Sequence, residues 1–278
     1  MNVVAISTLT PQHRYVLAKL HEVYPLAHLI QPVWLPQANT WNQYAKALRS
    51  PFAVISRRLH SRYDNWRGAR HFANVARILG PASQDNLPGL EPTCLPIAGF
   101  NCAENAALLR ELRPDVIVTS GCPILKPELF GLARLATINV HWGIAPAYRG
   151  ENTLFWPMYY GDVENVGVTI HRIDAGIDTG PILAHGFAEM TAEDDEDALT
   201  VKAAQVAARL LPGILQRIEE TEQVEGFRAS EKGKLYLGRH RSWRHDLIHW
   251  WRRKSRERNK TLAPARDAIY IDKPASSF

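Results

Sequence analysis

Along the chain the apolar positions switch repeatedly between two periods. Val3 to Ile6 form a continuous apolar run, and Gln12 to Glu22 follow with the three-and-four spacing of an amphipathic helix. From residue 101 the alternation is clearer: AENAALLRELR reads as a helix, DVIVTS as a buried strand, KPELFGLAR as a short helix and ATINVHW as another strand. VGVTIHRID predicts a further strand with PILAHGFAEM as its antiparallel neighbour. DEDALTVKAAQVAARLLPGILQRI predicts a long helix with acidic residues at its positive end. Strands alternating with helices imply an α/β fold: a Rossmann-like, mostly parallel sheet with flanking helices, its first strand central and its core spanning residues 1–220.

Two segments break the pattern. Residues 40–80 are rich in Arg, Trp and Tyr and carry helix-like patches interrupted at Pro51, which predicts an inserted helical or irregular segment. Residues 221–278 read as a short C-terminal extension with one strand-like stretch, KLYLG, and the run SWRHDLIHWWRRKSRERNK. Within that run Trp250 and Trp251 adjoin Leu247 and Ile248, so this part is expected to pack while Arg252 to Arg258 stay solvated. Docking or oligomer contacts, rather than catalysis, are the expected use, with a membrane-surface helix as the alternative.

Composition adds little to this picture; charge, cysteine and glycine add more. The 46% hydrophobic and 22% charged residues are those of an ordinary globular protein. Of the net charge of +5, the stretch from Arg239 to Lys260 alone carries +7, which leaves the remainder slightly acidic and no general nucleic-acid surface. Cys94, Cys102 and Cys122 show no metal-ligand spacing, so no metal is expected and a reducing cytoplasm fits. The N-terminus lacks the basic head and apolar stretch of a signal peptide, and no segment reaches transmembrane length. The first glycine is Gly68, so the turn after the first strand lacks the glycines that a dinucleotide pyrophosphate needs.

Candidate chemistry gathers at strand ends. In TINVHW the side chains alternate, so Asn139 and His141 share one face near the carboxyl end of a strand, where open α/β sheets keep their ligands. The loop GIAPAYRG follows, and DAGIDTGP later places Asp174 and Asp178 in a tight turn. Alone, each element has an ordinary reading: an Asn-x-His pair as a hydrogen-bonded strand feature, an Asp in D-T-G-P as a turn former.

Together and in this order, INVHWGIAPAYRG and GDVENVGVTIHRIDAGIDTGPIL resemble the folate-dependent formyltransferases, a family that includes glycinamide ribonucleotide, methionyl-tRNA and nucleotide-sugar formyltransferases. The resemblance covers roughly residues 100–220. It implies Asn139, His141 and Asp178 as catalytic residues. It implies a pocket for the formyl donor, 10-formyltetrahydrofolate, at Cys122, Ile124, Leu125, Ala175, Ile177 and Asp178, with backbone groups at Leu125 reading the pterin. An acceptor loop at Pro146, Tyr148, Arg149 and Gly150 is also implied, with Arg149 as an anion contact. These residue types suit acyl transfer: Asn139 and His141 can donate to the oxyanion formed when an amine attacks the formyl carbon, and Asp178 can orient His141 and take the amine proton. His171, on the same face as Thr169, matches a frequent family histidine and is read as a packed or supporting residue.

The acceptor is expected to be a small-molecule amine, first an amino sugar on a nucleotide, then glycinamide ribonucleotide or an amino-acid-derived amine. The 58 residues after residue 220 are short for the barrel that a tRNA-dependent relative carries, so no nucleic-acid partner is expected. A formyltetrahydrofolate hydrolase and a silent folate- or sugar-binding homologue are the competing readings, with a homodimer left open.

Overall fold

The computed structural model describes residues 1–35, 51–254 and 261–271. The first half runs β1 (Val3–Ser7), α1 (Pro11–Val23), β2 (His28–Val33), α2 (Pro51–Leu79), β3 (Thr93–Pro96), α3 (Ala103–Leu112), β4 (Val116–Ser120), α4 (Pro127–Phe130) and β5 (Ala136–His141). Then come β6 (Tyr148–Gly150), α5 (Phe155–Tyr160), β7 (Gly167–Arg172), β8 (Ile182–Phe187), β9 (Met190–Thr191) and α6 (Glu196–Thr221). The extension adds β10 (Lys234–Tyr236), α7 (Trp243–Lys254), β11 (Thr261–Ala263) and β12 (Arg266–Ile269).

Eight strands make one sheet in the order β12-β8-β7-β5-β4-β1-β2-β3. The run from β3 to β5 is parallel, whereas β7, β8 and β12 join antiparallel. Every residue of β1 and β4 is buried, as expected of central strands covered on both faces. The helix α6 lies across β7 and β8 and against α1, burying Leu199, Ala203, Ala207, Leu211, Ile214, Leu215 and Ile218. It is long and apolar enough to cross a membrane, but that apolar face is the core of this domain. Its N-cap Asp195 accepts from the Ala198 N–H at 3.0 Å, a bond that typically contributes about 1 kcal/mol.

The segment expected to be inserted is largely one helix. Pro51 opens α2 rather than interrupting it, because proline's fixed φ and missing N–H cost nothing at a helix's first turn; residues 40–50 lie outside the described residues. The extension is stitched into the core rather than trailing from it. Strand β12 pairs with β8 at the sheet edge, β11 pairs with β9, and β10 runs parallel to β6, with Tyr236 opposite Gly150.

The packing expected within α7 is corrected. Leu247, Ile248, Trp250 and Trp251 are 55%, 40%, 49% and 69% exposed. One helical turn apart, His245 and His249 face the aromatic cluster of α5 instead, with rings 5.3 and 5.4 Å from those of Trp156 and Phe155. Arg252, expected to be solvated, donates to the Tyr159 carbonyl at 2.8 Å.

Gly121, just beyond β4, has φ +60°, and a Cβ there would collide with the His13 imidazole. Gly121→Ala is expected to lower stability by about 2 kcal/mol through left-handed strain and displacement of that ring, read as a shift in the urea midpoint.

Candidate active site

Two rows of side chains cross the sheet and build the site. In the first, Thr119 of β4, Asn139 of β5 and His171 of β7 stand directly opposite one another. In the second, His141 of β5, Thr169 of β7 and His185 of β8 do the same. Cross-strand register thus brings together residues separated by 66 positions at most, from Thr119 to His185, with no loop involved.

The first row is a relay of hydrogen bonds with one consistent direction. The Thr119 hydroxyl donates to Asn139 Oδ1 at 2.9 Å, fixing the amide so that Nδ2 donates to His171 Nε2 at 3.2 Å. His171 Nδ1–H in turn donates to the Arg172 carbonyl at 2.7 Å. One of the two Asn139 N–H bonds is used in this relay, and an amide has a second to offer.

The second row holds the loop after β5. Thr169 donates to the Gly143 carbonyl at 2.7 Å and accepts from the Ala145 N–H at 2.9 Å, and His185 Nε2–H donates to the Ala145 carbonyl at 2.8 Å. His141 Nε2–H donates to the Tyr148 carbonyl at 2.8 Å, so the nitrogen left over is Nδ1. That geometry revises the expectation that His141 and Asn139 both meet an oxyanion: Nδ1 faces a carboxylate instead.

The carboxylate is that of Asp178. Its Oδ2 accepts from the Gly150 N–H at 2.8 Å and lies 3.4 Å from His141 Nδ1, while Oδ1 lies 3.4 Å from His171 Nε2. Both imidazole distances exceed a hydrogen bond, leaving the carboxylate poised between two rings. The turn itself is made by Asp174, whose Oδ1 accepts from the Gly176 N–H at 3.0 Å and from Thr179 Oγ1 at 2.6 Å. Asp178, at φ +50°, is the strained partner presented to the site. Burial alone would raise its pKa; the neighbouring imidazoles and the Gly150 N–H outweigh this and hold it well below the usual carboxylate range. Burial lowers the His141 pKa against the pull of Asp178, so at neutral pH the pair rests as a neutral ring beside an ionised acid.

Asn139 and Asp178 separate two cavities. The larger, about 740 Å³, is walled by Gln12, His13, His71, Trp142, Glu151, Asn152, Thr153 and Thr200 as well as His141 and Gly150. The smaller, about 110 Å³, is lined by Leu125, His171, Ile173, Asp174 and Gly176. Both share Cys122, Ile124, Ile177 and Asp178, four of the six residues assigned to the folate pocket; Leu125 lines only the smaller, and Ala175 lines neither. Ile124 is 69% exposed at their rim. Burial pushes the Cys122 thiol up to about 12, so it is an uncharged wall and not a nucleophile.

Three residues assigned to the acceptor line neither cavity. The Tyr148 hydroxyl donates to Asp162 at 2.9 Å and its ring stacks on Tyr236, 5.6 Å between centroids. The Arg149 guanidinium is buried and donates to the carbonyls of Ile177 and Gly233 at 2.9 and 3.2 Å, so it braces the Asp178 turn rather than meeting an anion. Pro146 follows a cis peptide bond and lines neither cavity; Gly150 lines the larger. His171 is the residue left off the sequence assignment that the fold puts at the centre. Its signal was the period of two along VGVTIHRID, which gives its face but not its partner.

Two buried histidines set an acid limit. Burial lowers His13 to about 3 and His185 to about 4. Unfolded, both titrate near 6.5, so below that pH the unfolded chain binds protons that the native state refuses. Stability is therefore expected to fall from pH 6.5 toward 4 by about 1 kcal/mol per unit for each ring. A flat melting temperature between pH 7 and 5 would contradict this.

Residues 96–215 match the family model described as formyl transferase. A methionyl-tRNA formyltransferase of Pseudomonas fluorescens is 30% identical over 179 residues, 64% of this chain and 53% of that protein. One of Microcystis aeruginosa is 33% identical over 147 residues, 52% of this chain and 45% of that protein. The chain thus spans about half the length of these curated relatives. Among solved structures, a sugar N-formyltransferase from Shewanella shares the fold over 100% of this chain and 99% of its own, with a TM-score of 0.55 at 18% identity. A phosphoribosylglycinamide formyltransferase from Streptococcus pneumoniae does so over 79% of this chain and 99% of its own, with a TM-score of 0.51 at 18% identity. The matched segment, less than half of the chain, carries β4 to β8 and every residue of both cross-strand rows, and it is this segment that is similar to the formyl transferase family.

Proposed function

We propose that this protein transfers a formyl group from 10-formyltetrahydrofolate to a primary amine, and that the amine is carried by a sugar attached to a nucleotide. The observation that carries the reading is the convergence of an oriented amide, an ionised carboxylate and two imidazoles on the wall between two cavities. The larger cavity falls in the usual range of about 300–1,000 Å³ for small-molecule sites.

The residues at the rim fit a folate. Ile124 stands exposed with Ile177 beside it, an apolar edge that a flat heterocycle would cover, and the loop is held in place from outside. The Asn101 amide donates to the Ile124 carbonyl at 2.9 Å and its Oδ1 accepts from the Lys126 N–H at 2.7 Å, leaving Leu125 between two pinned neighbours. When bound, the folate supplies an activated formyl carbonyl on N10.

Around that carbonyl each residue has a separate task. Asn139, held by Thr119 and His171, turns its second N–H to the carbonyl oxygen as negative charge develops; a preorganised donor of this kind is worth about two to three orders of magnitude in rate. Asp178 accepts the proton that the amine releases on forming the new C–N bond and, with His141 Nδ1 beside it, delivers a proton to the nitrogen that leaves. His171 acts as a positioning residue, fixing the amide of Asn139. Gln12, Glu151, Asn152 and Thr153 give the acceptor cavity the amide, acid and hydroxyl groups that suit a hydroxylated amine.

A mass-spectrometric screen tests the reading. Candidate amines, including nucleotide-linked amino sugars, glycinamide ribonucleotide and methionyl-tRNA, are incubated with protein and 10-formyltetrahydrofolate. Gain of one formyl group by a nucleotide amino sugar is the expected result; formylation of methionyl-tRNA alone would replace the acceptor, and formate release without any formylated amine would replace the reaction.

A further inference from the structure

Beside the catalytic cavity lies a second chamber of about 450 Å³, and the two share His71 and Glu196 as a common wall. Apart from Asp197 of α6, its other walls come from α2, from Arg241 and from α7, all outside the segment that matches the family model. Whatever this chamber binds is therefore recognised mostly by residues outside the matched segment.

The chemistry of those walls is specific. Trp66, Trp243 and Trp250 line the chamber yet are 58%, 52% and 49% exposed, three indoles each with a cation over the ring: Arg70, Arg244 and Lys254 at 5.7, 5.5 and 4.0 Å. Its acids are already engaged. Glu196 and Asp246 both pair with Arg241 at 2.7 and 2.6 Å, and Asp197 pairs with His71 and accepts from Asn74 at 2.6 Å. Two guanidiniums are less well served. Arg67 Nε is shielded from solvent without a hydrogen-bond partner, its acids standing 3.8 and 3.9 Å away, and Arg70 lies exposed over the Trp66 ring at 5.7 Å. Under-satisfied guanidiniums beside half-exposed indoles are complementary to an anion attached to a flat ring.

We infer that this chamber holds the nucleoside diphosphate handle of the acceptor, with the base stacked on the indoles, the diphosphate at Arg67 and Arg70, and the sugar amine reaching past His71 and Glu196 toward Asn139 and Asp178. The inference rests on the proposed acceptor class and adds the site that selects it. Binding energy gathered on the handle, far from the reacting atoms, orients the amine in the catalytic cavity.

The test uses uridine and thymidine diphosphates as probes, with the full chain, by calorimetry and by quenching of tryptophan fluorescence. One or both are expected to bind at micromolar concentration, and Arg70→Ala and Trp66→Ala, both at exposed positions, are each expected to weaken binding tenfold or more. Affinity for a non-reactive folate analogue should change less than twofold in the same variants, which excludes general unfolding. Binding no tighter than millimolar for both probes, or binding that survives both substitutions, overturns the inference. So does adsorption to phosphatidylglycerol vesicles that depends on Trp66 while neither diphosphate binds, since the surface would then belong to a membrane. Failure of the chamber and failure of the enzyme are read separately. A protein that formylates an amine but ignores both diphosphates loses only the chamber, and one that binds them through Arg70 but transfers nothing loses only the reaction.

Discussion

Replacing Asp178 by asparagine is expected to cut the turnover number for formyl transfer at least about a hundredfold, the usual scale of a lost general base, while folate affinity shifts only a few-fold. The substitution is close to isosteric, and an amide oxygen can still accept from the Gly150 N–H, as Oδ2 does now at 2.8 Å. The turn is separately held by Asp174, so the fold should survive. What disappears is the charge between His141 and His171, each 3.4 Å from the carboxylate, and with it the acceptor for the amine proton. Were Asp178 only a turn former, the variant would be folded and nearly as active as the wild type. Turnover measured alongside calorimetric binding of a non-reactive folate analogue, on a variant of unchanged circular dichroism, separates the two accounts.

Arg241→Ala is expected to destabilise the fold by about 3 kcal/mol, the lower end of the cost of breaking a buried ion pair by removing one partner. The Arg241 side chain is 4% exposed and donates through both Nη atoms to Glu196 at 2.7 Å, and through Nε to Asp246 at 2.8 Å, with its Cζ 3.6 Å from the centroid of the Phe155 ring. It fastens the segment before α7 to the first turn of α6 beside the larger cavity. Without it Glu196, Asp197 and Asp246 are left near one another with less positive charge among them. Burial would raise the Glu196 pKa, and Arg241 more than reverses this, pulling it to about 2. This depressed value makes the pairing effective above the unfolded pKa near 4.5 and lost as pH falls toward 2. Urea unfolding at pH 7 gives the number. Glu196→Gln in the Arg241→Ala background should recover part of the loss by removing an orphaned charge, whereas Arg241→Lys should recover little, because an ammonium cannot span two carboxylates in the same plane. A loss under 1 kcal/mol would show that the extension is held mainly by β10 and β12.

The core was legible in the sequence wherever one face of an element is buried and its period is unbroken. Strands β1, β4, β5, β7 and β8 and helices α1, α3 and α6 are such elements, and the shared face of Asn139 and His141 follows directly from a period of two. Edge elements were not. The short strand β3 has mostly exposed residues, and β2 carries Pro32 within it, so neither shows a buried alternation. Strand β12 exists only because β8 offers it an edge. The same holds within the site. That His171 stands beside Asn139 depends on which strand lies next to β5 and in which register, and no local pattern encodes either. Both expectations for Arg149, an anion contact or a merely solvated loop arginine, assumed an exposed side chain. Here β10 closes over that loop, with Leu235 opposite Arg149, and the guanidinium turns inward to backbone carbonyls. The exposed indoles of α7 were misjudged for a related reason: His245 and His249 find the aromatic cluster of α5 first.

The central claim is that Asn139, His141 and Asp178 move a formyl group between two bound molecules, and following the carbon itself tests it most directly. With the donor labelled as a 13C-formyl group and the protein in excess over donor, one turnover is quenched in time and the label located by NMR. The account predicts that the label appears on the nitrogen of the acceptor amine at a rate that Asp178→Asn lowers at least about a hundredfold, and stays on the folate when amine is omitted. Label released as formate at the same rate with and without amine, or transfer to amine undiminished in the Asp178→Asn protein, would contradict it.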